Sequence, residues 1–192
     1  MIMKHANSIL DIPEARARIS PITVVQYHEF PEFNENGKRT ELIRGIVFEK
    51  ISKSPLHSSI AKFLYDLLHA LAPPGFSVRQ DQPLTLHDSE PEPDIAVVSG
   101  AAKDFRNRHP STAALVIEIA ISSVAMDREK VALYAEAGVE EYWIVLPVER
   151  RIEVYRQPLG GSYLERFIVE GEVLLKSSAV PKVEIRLAEL FE

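Results

Sequence analysis

Apolar positions change period several times along this chain. From His57 to Leu71, the residues Ile60, Phe63, Leu64, Leu67, Leu68 and Leu71 recur at i, i+3, i+4, i+7, i+8 and i+11. That is a wide helical stripe, and Pro73-Pro74-Gly75 ends it. Upstream, Ile22 to Phe30 predicts a shorter helix, because Thr23 and Gln26 have capping-box spacing and Tyr27 and Phe30 share a face. Asn34-Glu35-Asn36-Gly37 reads as a turn, and Arg44-Gly45 between Glu41-Leu42-Ile43 and Ile46-Val47-Phe48-Glu49 reads as a tight hairpin.

Downstream the period shortens. Phe76–Leu86, Ile95–Val98 and Leu115–Ile121 are predicted extended. Asp127–Gly138 returns to helical spacing through Val131, Tyr134 and Ala135, with Gly138 as its cap. Tyr142–Leu146 is a buried-type strand, followed by strands over Arg151–Arg156 and Tyr163–Val169 around Gly160-Gly161. Beyond Gly171 the alternation is too weak to fix strands. The middle of the chain therefore runs α-β-β-β-α-β, which predicts an α/β protein with a mixed sheet flanked by helices.

Composition bounds the answer. A chain of 192 residues suits one domain, read here as 21–192 preceded by an N-terminal arm over 1–20. With 46% hydrophobic and 26% charged residues, it has the make-up of a globular protein. No apolar stretch is long and unbroken enough for a secretory signal or a membrane span, so a cytoplasmic location with no membrane partner is expected. The absence of cysteine excludes disulfides, thiolate metal sites and a cysteine nucleophile. His69, His87 and His109 lack ligand spacing, which disfavours zinc. The net charge of −6 argues against a general basic coat for nucleic acid. Carboxylates gathered around a cation would push the sum the same way.

Three residues carry candidate chemistry. Glu118 is the one polar residue of Leu115–Ile121. Both faces of that strand are otherwise apolar, so its carboxylate needs compensation by an arginine, a lysine or a metal ion. Asp94 follows Pro93 just before Ile95–Val98, a common turn arrangement that also places a second acid at the entrance of a neighbouring strand. Two adjacent carboxylates repel unless a cation lies between them, and oxygen-only donors suit Mg²⁺ or Mn²⁺. Lys130 belongs to the following helix, and the small Ala120 leaves room for its ammonium beside Glu118.

Pro93-Asp94, Glu118-Ile119-Ala120 and Asp127-Arg128-Glu129-Lys130 on this core resemble the PD-(D/E)XK nuclease superfamily. Within it the chain resembles the Uma-type family of restriction-endonuclease-like proteins, a domain of unknown function. The supporting segments are Thr40–Gly45, Ser54-Pro55 with His57, Leu115–Ile119, Asp127…Lys130…Tyr134…Gly138 and Glu141–Val145. The resemblance implies a restriction-endonuclease-like core and hydrolysis of DNA phosphodiester bonds with Mg²⁺ or Mn²⁺. It implies that Asp94, Glu118 and the Ile119 carbonyl bind the metal. It makes Lys130 the stand-in for a lysine that the superfamily places where Ala120 stands, and it brings Glu41 to the same centre. Two departures, Ser122-Ser123-Val124-Ala125 in place of a Ser-Pro-Ser turn and Leu146 where aspartate is common, affect turns beside the site. Cutting both strands is easiest with paired sites, which points to a homodimer.

Other readings compete. Glu41 also suits a solvent-facing strand, His57 a helix cap, and Tyr134 and Trp143 the core. Lys103, Arg106, Arg108 and His109 give the segment Gly100–Thr112 a net positive charge, suited to a phosphate backbone or to plain solvation. No Walker loop, nucleophile elbow or dinucleotide fingerprint is present. A catalytically idle nucleic-acid-binding or interaction domain would keep the fold without the reaction. An α/β binding module would use Glu118 and Lys130 as a structural pair only.

Overall fold

The computed structural model describes residues 11–33 and 39–192. The Asn34–Gly37 turn and the first half of the arm lie outside them. The described part of the arm contains a one-turn helix α1 (Pro13–Arg16), and α2 (Val24–Glu29) follows with the Thr23/Gln26 capping box in place.

A six-stranded sheet organises the chain. Its order is β3 (Phe76–Gln80), β4 (Ile95–Ser99), β5 (Leu115–Ile119), β6 (Glu141–Leu146), β7 (Arg151–Leu159) and β8 (Ser162–Glu170). β5 and β6 are parallel and every other neighbouring pair is antiparallel. The helix α4 (Val124–Glu136) makes the crossover that a parallel pair requires.

Strand alternation divides the core. Ile95, Val97, Leu115, Ile117 and Ile119 pack with Ile60, Leu64 and Leu68 of α3 (Pro55–Leu71). Ala96, Val98, Val116 and Ala120 face the other way, towards Leu133 and Tyr134 of α4. All five residues of β5 are buried, so its carboxylate is largely withdrawn from bulk water.

The hairpin β1 (Thr40–Ile43) and β2 (Ile46–Glu49) turns through Arg44 and Gly45, both at positive φ. A Cβ on Gly45 would lie 2.4 Å from that of Pro21, so glycine is required here by packing as well as by φ. Leu42 bridges to Glu90 and docks the hairpin beside the sheet. At the other end, β9 (Leu174–Lys176), β10 (Glu184–Arg186) and α5 (Leu187–Leu190) close the α3 side of the core. No helix among the described residues is long and apolar enough to cross a membrane.

The structure corrects three boundaries. β3 ends at Gln80 rather than running on to Leu86, because Asp81 turns to φ 52° and Pro83 has no N–H for a ladder. β5 ends at Ile119 rather than Ile121. α4 begins at Val124, about one turn before Asp127, and Ser123 Oγ donates to Asp127 Oδ2 at 2.6 Å. Lys130 therefore stands in the second turn, clear of the helix N-terminus. Gly138 takes φ 70° immediately after the Ala137 cap.

Candidate active site

The antiparallel register sets Ile95 opposite Ile117, so the start of β4 lies against the end of β5. Asp94 and Glu118 meet there. The Asp94 N–H donates to Glu118 Oε2 at 3.2 Å, and the Ile119 N–H donates to Asp94 Oδ2 at 2.8 Å. Glu118 projects to the α4 side, where Lys130 Nζ and Tyr134 Oη each donate to its Oε1 at 3.1 Å. Lys130 and Tyr134 are four residues apart on α4 and so share one helical face. Lys130 also lies 3.0 Å from Glu41 Oε1 and 3.7 Å from Asp127 Oδ1.

The α3 side contributes two further partners of Asp94. Ser54 caps α3, its Oγ accepting from the His57 N–H at 3.2 Å, and this places His57 Nε2 2.9 Å from Asp94 Oδ2. Lys53, just before the cap, reaches Asp94 Oδ1 at 2.9 Å and also pairs with Asp81. Asp94 Oδ2 is thus occupied by the Ile119 N–H and His57, while Oδ1 meets the Lys53 ammonium.

Burial and charge set the protonation. Burial raises the Asp94 carboxyl, but His57 and Lys53 outweigh it and hold the group well below the usual carboxylate range. Burial and the neighbouring acids push the Glu118 carboxyl up, while the Lys130 ammonium beside it pulls the other way and pairs with its charged form. Burial would lower Lys130, yet Glu118, Glu41 and Asp127 keep it above its ordinary value and therefore charged. Burial lowers Lys50, whose Nζ donates to the Glu92 carbonyl at 2.6 Å.

Asp94, Glu118, Ile119, Lys130 and Glu41 all line one cavity of about 340 Å³, together with Lys53, His57 and Asp127. The five residues singled out in the sequence therefore converge. Lys53 was not legible as a site residue, and His57 reads most simply as a cap. Their signal was indirect: Ser54-Pro55 fixes where α3 begins, and both residues flank that point. Tyr134 is core, as its position suggests, and its hydroxyl is also a donor to Glu118. Trp143 is wholly buried, with Nε1 donating to Glu141 Oε1 at 2.8 Å. The basic loop is not part of this cavity.

Among the described residues, no set of three or more His, Cys, Asp or Glu side chains forms a ready-made metal cage. Asp94, Glu118 and the Ile119 carbonyl would offer two carboxylates and one backbone carbonyl beside an open cavity that Glu41 and Asp127 also line. That smaller set fits a hard divalent ion that keeps several waters, and does not fit an ion enclosed by protein ligands.

A mixed sheet flanked by helices, with these acids at the meeting of two central strands, defines an α/β protein of nuclease type. The Uma2 family, described as "Putative restriction endonuclease", matches residues 24–188, and the chain belongs to that family. Among solved structures, a protein from Anabaena variabilis ATCC 29413, described as "a putative nuclease belonging to DUF820", shares the fold with a TM-score of 0.75 and 20% identity. The alignment covers 89% of this chain and 98% of that one. No curated protein matches the chain.

Proposed function

We propose that the protein is an endonuclease that hydrolyses DNA phosphodiester bonds with Mg²⁺ or Mn²⁺ held by Asp94, Glu118 and the Ile119 carbonyl. The observation that carries this reading is the hydrogen-bonded pair of Asp94 and Glu118 in one cavity, with a charged lysine 3.1 Å from Glu118. When bound, such an ion supplies Lewis-acid polarisation of the phosphate and a more acidic water.

The chain's own residues do the rest. His57 and the Ile119 N–H fix Asp94 through Oδ2 and leave Oδ1 to face the cavity. Lys130 stays protonated among three acids and offers a fixed positive charge to the phosphoryl oxygens as they gain negative charge. Glu41 holds the same Lys130 ammonium as Glu118 and can orient a water. Lys53 neutralises Asp94 Oδ1 and so competes with any cation for that oxygen.

A second reading, a catalytically idle nucleic-acid-binding or interaction domain, draws on the same ion pairs: Lys53 and Lys130 already offset both acids. Calorimetric titration with Mg²⁺ and Mn²⁺ separates the two readings. The nuclease reading expects saturable binding that Asp94→Asn abolishes. Absence of binding, or equal binding by Asp94→Asn, would overturn it.

A further inference from the structure

A second cavity, of about 980 Å³, lies at the opposite end of β3, β4 and β5, where Phe76 and Ser99 pair. Its walls include Arg106, Arg108, His109, Phe105 and Thr85, with Glu140 as the acid on the lining. This is the basic segment between β4 and β5, which the proposed nuclease site does not use.

Behind the loop stands Arg79, only 7% exposed. Its guanidinium carbon lies 5.4 Å from the centre of the Phe105 ring. Its Nη2 donates to His109 Nδ1 at 3.1 Å and to the Pro83 carbonyl at 3.4 Å. Its Nε is buried with no hydrogen-bond partner. Among the described residues no carboxylate forms an ion pair with it, and burial is what shifts its pKa, downwards.

Buried guanidinium groups are ordinarily matched by carboxylates, because an isolated buried charge is costly. The acid whose charge acts on His109, Glu90, is already engaged by His28 at 2.7 Å and Thr85 at 2.6 Å. The bond from Arg79 makes His109 Nδ1 an acceptor, which leaves the ring's Nε2–H as a donor. Two loop arginines and a histidine donor on the walls of one cavity, with the fixed Arg79 cation bonded to that histidine from behind, match an anion with several acceptor oxygens and more than one direction of approach.

We propose that this cavity binds a phosphate group, with Arg79 as the fixed charge behind it and His109, Arg106 and Arg108 as its walls. The phosphate belongs either to a DNA strand or to a free nucleotide. The site stands without the metal centre and does not depend on the nuclease reading.

Calorimetry in EDTA tests it, with inorganic phosphate, a 5′-mononucleotide and a short DNA duplex as probes. The full chain is compared with Arg79→Met, with the exposed double variant Arg106→Ala/Arg108→Ala, and with Lys62→Ala as a charge control on α3. Arg79→Met, which removes the charge behind the wall, and the double variant, which removes two charges from it, are each expected to weaken binding at least about tenfold, while the control is unchanged. Arg79→Met is also expected to melt no lower than wild type, because it leaves no buried carboxylate unpaired. Loss confined to the duplex identifies a DNA backbone, and loss for all probes identifies a free phosphate. If Arg79→Met does not fold, the double variant alone decides. Equal binding by the double variant and the control, or no binding of any probe by wild type, would overturn the proposal.

Discussion

Asp94 and Glu118 are joined through the backbone: the Asp94 N–H donates to Glu118 Oε2 at 3.2 Å across the β4–β5 boundary. The bond holds Asp94 and Glu118 on the same cavity, where Asp94 Oδ1 meets the Lys53 ammonium. The site is thus an acid pair held by main chain and neutralised by Lys130 of α4 and by Lys53 of the loop before α3.

Lys53 is the first test of that arrangement. Lys53→Met removes the ammonium from Asp94 Oδ1 and should tighten Mg²⁺ binding roughly tenfold, equivalent to about 1.4 kcal/mol. Calorimetric titration reads the change directly. Unchanged or weaker affinity would mean that Lys53 does not compete for the ion's place.

Lys130 and Glu118 form a buried pair, and breaking one side leaves an uncompensated charge. Lys130→Met is expected to lower folding stability by about 3–5 kcal/mol in the absence of metal. Combining it with Glu118→Gln should cost less than the sum of the two single changes, with a coupling of roughly 1–3 kcal/mol. Urea unfolding of the four proteins gives the cycle. Additive losses would contradict a direct interaction.

Glu141 is wholly buried at the start of β6, and its carboxylate accepts from Trp143 Nε1 and Arg156 Nε through Oε1. Through Oε2 it accepts from Ser177 Oγ and from the Ser178 and Ala179 N–H groups, tying the C-terminal segment to the sheet. Burial opposes ionisation, but these donors and Arg156 prevail and lower its pKa. Between the folded and unfolded values the unfolded chain binds more protons, so this contribution to stability rises with pH. It is complete above about pH 4.3 and is lost as pH falls through the lower folded value. Glu141→Gln should therefore flatten the acid limb of the stability profile and cost about 3 kcal/mol at neutral pH. An unchanged acid limb in urea unfolding across pH would contradict this role.

Much of this architecture was legible in the sequence where period and burial agree. The stripe from Ile60 to Leu71 became α3, and the single acid of β5 proved to be buried and paired with Lys130. Less legible were features that depend on where chain ends of elements meet. β3 stops early because of the Asp81 backbone and Pro83, and the short β9 and β10 strands carry too few residues to show alternation. Lys53 and His57 reach Asp94 only because α3 docks its N-terminus beside β4, a tertiary fact without a local pattern. Arg79 looks like an ordinary polar strand residue until the loop at Phe105 and His109 folds over it.

The most direct test of the central claim is cleavage of supercoiled plasmid with Mg²⁺ or Mn²⁺ by wild type, Asp94→Ala and Lys130→Ala, each first shown to be folded. The account expects metal-dependent nicking or linearisation by wild type and a loss of at least about a hundredfold in both variants, on the scale of removing one group that stabilises developing charge. Equal cleavage by all three proteins, or cleavage by wild type that persists in EDTA, would contradict it.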